Sequence, residues 1–582
     1  MKLINCTTLE LETEDNWLSR RRPPYAILSH TWNPDGGEVT YQDYVQGRDH
    51  SQHKNWAKID RAVAITRTSP ERLNHIWIDT CCINKESSSE LTESINSMFA
   101  WYAQAVVCYA QIADFDCGSR RNDESAVRHE MGSVDLDENA AYKLGQCRWF
   151  YRGWTLQELI SPTRIEFFDS NWWHFGSRDS LAYLISMITG IDQDILARTN
   201  KEGRVENAQQ ALRRMTVAKK MSWAEARQTS RLEDQAYSLL GIFEVNMPML
   251  YGEGESAFVR LQEEILKESN DMTLFAWTLS GDDSLPSPTY SGILARSPRD
   301  FARAGQLIAS KAAKFNPDYA ITNKGVRIST RLRKIGSTSD VFLDLNCHYA
   351  NDTERHGLGI SLRYQGAGRY IRTQPSRLIS SATGAWVPER IIFMAKTADG
   401  VDAQPSVLES QSKQSFSFTF KGKEYYDRTG VSHDDLWYEP SEAFVTHGLD
   451  TFAGCVTMRT LGRCGENKND FVIACGGSPE NPWACVATHS SDVYTAALAQ
   501  DWEHMAAAAR RLGPRGSVAK WHDARYTNNS DFEGLQVVVK VEKVVEGVRI
   551  EVSGGHFDDA TGMDNFAACC CPKTGQSSCT VL

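Results

Sequence analysis

The chain lacks any run approaching the ~20 apolar residues of a membrane-crossing helix. It has no surplus of basic charge either: 63 Lys and Arg stand against 74 Asp and Glu, a net charge of −11. Its basic clusters, such as Arg20-Arg21-Arg22, are short. A phosphate backbone therefore finds no basic face, and nucleic acid is excluded as an expected partner. Of 15 cysteines, 11 lie scattered through the body with no C-x-x-C pair and no metal-like Cys/His spacing. They read as small buried apolar groups rather than as a zinc site, and no metal is expected. No repeat of 20 to 50 residues is visible, which argues against a propeller or solenoid. The Gly-rich GLGISLRYQGAGRY lacks the G-K-[ST] of a phosphate loop and reads as turns. The N-terminal MKLINCTTLELETEDNW turns acidic before an apolar region forms, so a secretory signal is not expected and the compartment reads as cytoplasmic.

What is present is length and texture. A chain of 582 residues exceeds one hydrophobic core, and two to four domains are expected. The first third alternates strands and helices. PYAILSHTW runs apolar from Tyr25 to Leu28 and stops at Ser29-His30-Thr31; HIWIDTCCIN runs into Asp79; AVVCYAQIADF spans Ala105 to Phe115. Ile59, Val63 and Thr66 form one helical stripe, and Leu91, Ile95, Met98, Phe99 and Tyr102 another, with Ser87 and Glu90 spaced as a capping box. This predicts an α/β domain with a parallel sheet, with Ser29, Trp32, Asp79 and Asp114 at the carboxyl edge where ligands gather.

A polar stretch from residue 116 to 145 reads as an insertion or loop. Residues 177–270 have a helical pattern, and 271–565 turn to short β-branched and aromatic runs with Gly, Asn and Asp turns, the texture of a β-sandwich. The expected organisation is 1–176 α/β, 177–270 helical extension, 271–565 β-rich, and 566–582 a flexible tail. That tail ends Cys579-Thr580-Val581-Leu582, a C-a-a-X pattern suited to geranylgeranylation, with Cys569, Cys570 and Cys571 upstream as candidate palmitoylation sites. Two lipid chains would anchor the chain on the cytoplasmic face of a membrane.

In RWFYRGWTLQELISP a single acid, Glu158, stands among aromatic and branched neighbours. It is either a catalytic carboxylate or the polar edge of a core helix. Trp154, four residues earlier, shares its helical face, so an indole would flank the carboxylate and could stack on a ring. Asp79 divides between binding and capping its loop. A third reading makes Cys81 or Cys82 a nucleophile, with His30 the available base.

Together YAILSHTW (25–32), WIDTCCIN (77–84) and RGWTLQELISP (152–162) resemble the three motifs of the fungal heterokaryon incompatibility (HET) domain, and the stretch from Met221 to Ile265 is similar to the region after that domain in many members. The chain departs at Asn33, where the pattern usually has Gly, and at Lys85, where it usually has Gln. The resemblance implies self/non-self recognition and programmed cell death. The HET domain is in turn similar to the Toll/interleukin receptor (TIR) fold, a flavodoxin-like sheet, some members of which cleave the nicotinamide bond of NAD. Trp154, Glu158 and Leu159 fall on that group's motif. This implies a catalytic Glu158, NAD as substrate with no cofactor, and activation by self-association; Ser29, Trp32 and Asp79, from their place at the sheet edge, and Trp154, from its place beside the acid, are the expected substrate contacts. The alternative is a non-enzymatic adaptor that oligomerises and recruits death-pathway partners.

Overall fold

The computed structural model describes residues 1–556 except 18–20, 34–35, 47–52, 54, 119–135, 199–206, 280–288, 312, 314–315, 336–339, 367, 381–388, 399–414, 422–425, 434–436, 439–441, 446–451, 461–469, 479–480, 489–491, 499–501, 512–518, 521–534 and 545–546. The lipidation candidates Cys569, Cys570, Cys571 and Cys579 lie outside the described residues. The chain divides into two compact units, Met1–Arg363 with Tyr370–Asp399, and Tyr364–Arg369 with Gly400–Leu582.

The first unit opens with a seven-stranded sheet. Its strands are β1 (Leu3–Asn5), β2 (Leu11–Glu12), β3 (Ala26–His30), β4 (His75–Trp77), β5 (Val107–Gln111), β6 (Ile165–Phe168) and β7 (His174–Ser177), in the order β2-β1-β4-β3-β5-β6-β7. The central four run parallel, with Ile27 beside Trp77 and Cys108, and Cys108 beside Ile165. The flanking strands pair antiparallel. Strand order reverses between β3 and β5, the kind of switch point at which such sheets leave a crevice at their carboxyl ends.

Helices link these strands. They are α1 (Tyr41–Val45), α2 (Trp56–Thr68), α3 (Asp79–Cys82), α4 (Ser88–Gln104), α5 (Glu138–Gly145), α6 (Arg148–Tyr151) and α7 (Thr155–Ile160). The α4 stripe buries Ile95, Met98, Phe99 and Tyr102, and Trp77 on β4 meets Trp101 and Tyr102 edge-on at 5.7 and 5.9 Å. The expected capping box is half formed. Ser87 accepts from the Glu90 N–H, but Glu90 turns its carboxylate to Lys2 and the Asn84 N–H. The sequence pattern stopped the first strand at Leu28, yet the ladder to β5 carries it through Ser29 and His30, both buried. The stretch read as a loop to residue 145 ends in helix α5, whose single buried residue, Leu144, gives almost no apolar stripe.

The helical stretch breaks into short pieces: α8 (Ala182–Thr189), α9 (Gln193–Leu196), α10 (Ala208–Arg213), α11 (Val217–Ser222), α12 (Asp234–Tyr237), α13 (Leu240–Phe243) and the longer α14 (Ser256–Glu268). Gly241 lets α13 press on α4, since a Cβ there would lie 2.1 Å from that of Phe99. From α14, the buried Gln262 exchanges hydrogen bonds with the backbone of Ala295 at 2.8 and 2.9 Å. Beyond it ten strands between Tyr290 and Met394 form a second sheet.

In the second unit two five-stranded sheets share one core, in which Phe416, Phe418, Trp437 and Phe444 of one sheet pack with Val456, Phe471 and Ile473 of the other. Val472, Ala474, Cys485 and Ala487 point the opposite way and pack with residues of helices Asp492–Leu498 and Trp502–Arg511. The period-two alternation of a strand produces these two faces.

Candidate functional site

The site is built around α7, a single short helix whose six residues are all buried. So brief a helix has little stability of its own, and its neighbours hold it at both ends. At its carboxyl end the buried Arg178 donates to the carbonyls of Leu159, Pro162 and Thr163 at 3.0, 2.8 and 3.0 Å. Arg198 donates to Ile160, Ser161 and Pro162. Two guanidinium groups there satisfy the unpaired carbonyls and oppose the negative end of the helix dipole. Burial lowers them to about 10 and about 9. At the amino end Arg227 donates to the Arg152 carbonyl at 2.9 Å and to Thr155 Oγ1 at 3.0 Å. Gln228 bonds the backbone of Tyr151 and Gly153 at 2.6 and 2.8 Å. Gly153 permits this approach, because a Cβ would stand 2.5 Å from Thr229 Cγ2.

Glu158 is thereby set beneath the end of β3. Ser29 Oγ donates to its Oε2 at 2.5 Å, and the Trp149 indole N–H donates to Ser29 Oγ at 2.9 Å. Glu158 is 8% exposed. Burial pushes its carboxyl up from 4.5 to about 7; the Ser29 hydrogen bond works against this, and nearby Asp79 reinforces it. Tyr102 and Glu158 each perturb the other, and burial first, then Glu158, raises the Tyr102 phenol. The acid is not the solvated edge of an amphipathic helix.

Above it lies a second chain of contacts. Lys58 donates to Glu38 at 2.7 Å, to the Thr31 carbonyl at 3.4 Å and to His30 Nδ1 at 3.1 Å. An ammonium can only donate, so Nδ1 accepts and His30 Nε2 carries the hydrogen that Asp79 Oδ1 receives at 3.1 Å. Asp79 Oδ2 accepts from the Trp32 indole at 3.1 Å and faces Lys85 at 3.6 Å. Burial alone would raise Asp79, but Lys85, the His30 hydrogen bond and Arg152 together hold it well below the carboxylate range. Lys85 Nζ lies 3.7 Å from the Trp32 ring centroid and the Arg152 guanidinium 5.0 Å from it. Trp32 is 36% exposed.

Ser29 thus joins Glu158, and Trp32 joins Asp79, in two adjacent groups. Trp154 goes elsewhere: it lies beside Asp234, where it works against the upward push of burial on that carboxyl, and the indole that closes over the Ser29–Glu158 pair is Trp149. Asp114 caps α6, accepting from the Arg148 N–H at 2.9 Å. The cysteine-nucleophile reading fails. Cys81 and Cys82 are buried, burial pushes the Cys82 thiol up to about 12 and raises that of Cys81 as well, and both ring nitrogens of His30 serve other partners. Sequence reading missed Trp149, Tyr102, Arg152 and Arg227. Trp149 lay inside the quoted motif, but nothing in the sequence ties Arg227 to a segment 75 residues away. Among the described residues no group of three or more His, Cys, Asp or Glu could hold a metal.

Comparison with known proteins gives a family for this region. Residues 25–158 match the family described as heterokaryon incompatibility protein (HET), and residues 256–339 match a domain of unknown function. The chain is 41% identical over 251 residues to the vegetative incompatibility protein HET-E-1 of Podospora anserina. That similarity covers 43% of this chain and 17% of the relative, so the chain spans well under two thirds of that protein's length. No solved structure matches.

Proposed function

We propose, from the premise that residues 25–158 are a heterokaryon incompatibility domain, that this chain acts in fungal self/non-self recognition and cell death by cleaving the nicotinamide N-glycosidic bond of NAD. One observation carries the reading: a buried, hydrogen-bonded carboxyl, Glu158, lies at the end of β3 with its proton affinity raised to near neutrality. The parallel strands lie in the order second, first, third, fourth, that of flavodoxin-like sheets, which supports the TIR-like reading.

In this bond the ring nitrogen already carries positive charge. The bonding pair leaves with neutral nicotinamide, needs no acid, and strands positive charge on the ribose. Water then adds and loses a proton. A carboxylate beside that carbon stabilises the charge as it develops. A cationic substrate also favours the ionised form of Glu158, so binding itself would generate the anion that the reaction needs. Asp79 has both oxygens committed, and its part is to hold Trp32 and Lys85 in place. Self-association is the proposed switch.

The near-complete cover over Glu158 favours a second reading, in which the carboxyl is structural and the domain recruits partners as an adaptor. Nicotinamide release by the full chain, clustered on a scaffold and compared with Glu158→Gln, separates the two. Release by the wild type alone supports catalysis. No release from a folded, clustered wild type leaves the adaptor.

A further inference from the structure

Among the described residues the cations near Glu158 outnumber the anions that face them. Lys85 and Arg152 both lie over the Trp32 ring, and the Arg152 charge opposes that of Lys85. The carboxylate that faces Lys85, at 3.6 Å, is Asp79, whose oxygens already accept from His30 and Trp32. Lys58 is spent on Glu38, His30 and the Thr31 carbonyl. Glu158 carries at most part of a charge near neutral pH. Among the described residues this group is left with a net positive charge, on side chains that solvent reaches: the Lys85 side chain is 37% exposed.

We infer that Lys85 and Arg152 form a phosphate-binding subsite for a nucleotide, with Trp32 as its aromatic floor. A phosphate placed between the two side chains would accept charge-assisted hydrogen bonds from both and relieve their repulsion. It would also draw Lys85 from over the indole, freeing that ring for a planar group. Only the orientation of a dinucleotide over Glu158 rests on the proposed NAD cleavage; the subsite itself is a matter of binding.

Calorimetric titration of the full chain tests this with ADP, adenosine and inorganic pyrophosphate as probes. The wild type should bind ADP and pyrophosphate, more weakly as salt rises, and adenosine at least about tenfold more weakly than ADP. Lys85→Gln and Arg152→Gln should each weaken ADP about tenfold while leaving the melting temperature within a few degrees. Because Arg152 also joins the α7 clamp through its backbone, Lys85→Gln is the decisive variant. No ADP binding at millimolar concentration, or equal ADP binding by wild type and folded Lys85→Gln, would overturn the subsite. Glu158→Gln should still bind ADP. ADP binding without nicotinamide release would leave the subsite standing and remove the catalytic reading, whereas release with ADP binding indifferent to Lys85 would do the reverse.

Discussion

Replacing Glu158 by Gln should stabilise the chain above neutral pH and do little at acid pH. The carboxyl rises from 4.5 to about 7 on folding, mainly through burial. Between those values the folded chain keeps a proton that the unfolded chain has released, so stability falls as pH rises. Below about 4.5 both states are protonated and the cost is absent; above about 7 both are ionised and it is complete, at about 3 kcal/mol. Gln keeps the shape and accepts from Ser29 without ionising. Thermal unfolding of both proteins at about pH 5 and pH 8 measures the difference, other titrating groups cancelling between them. The wild type should lose about 2–3 kcal/mol relative to the variant over that interval. The first unit has roughly 390 residues, and at ~2.1 cal/mol/K per residue this displaces its melting by about 3 °C. A difference between variant and wild type that does not change with pH would refute the buried-carboxyl argument. A difference of opposite slope would show that Arg152 and Arg227 stabilise the anion more than burial opposes it.

Three further outcomes are expected from the supports of α7 and from the buried thiols. Gly153→Ala should cost about 1–3 kcal/mol by driving a Cβ into Thr229 Cγ2, and Thr229→Ser, which removes that methyl, should restore most of it in a double-mutant cycle. Arg178→Met strips donors from three carbonyls, those of Leu159 and Pro162 buried, and should lower stability by about 2–4 kcal/mol, read as a reduced urea midpoint; an unchanged midpoint would show that α7 does not need its cap. Iodoacetamide should leave Cys81, Cys82 and Cys108 unmodified in the native chain and label them only in denaturant, as mapped by mass spectrometry.

Where the sequence was legible, a periodicity spoke. The buried face of α4 repeats apolar residues at helical spacing and stands where the pattern put it, while the apolar run read from Ala105 to Phe115 holds the shorter strand Val107–Gln111, buried throughout. Ser29 and His30 were read as a loop because polar side chains end an apolar run. They remain in the strand because Trp149 and Glu158 satisfy the one, and Lys58 and Asp79 the other, inside the core. The short strand Ile165–Phe168 was missed because four residues after a helix show too little alternation, and only its pairing with Cys108–Gln111 defines it.

By itself the sequence determined the alternation of strands and helices at the front of the chain, the β-rich texture behind it, and three motifs in family order. Local periodicity and residue type carry that information. Tertiary structure decided what Glu158 is. Its proton affinity depends on water being excluded, and on Ser29, Trp149, Asp79 and Arg152 being brought around it from separate elements. It also turned Trp154 toward Asp234 and left Trp32, Lys85 and Arg152 grouped at the mouth. Burial and electrostatic fields are sums over neighbours in space, and no spacing along the chain contains them.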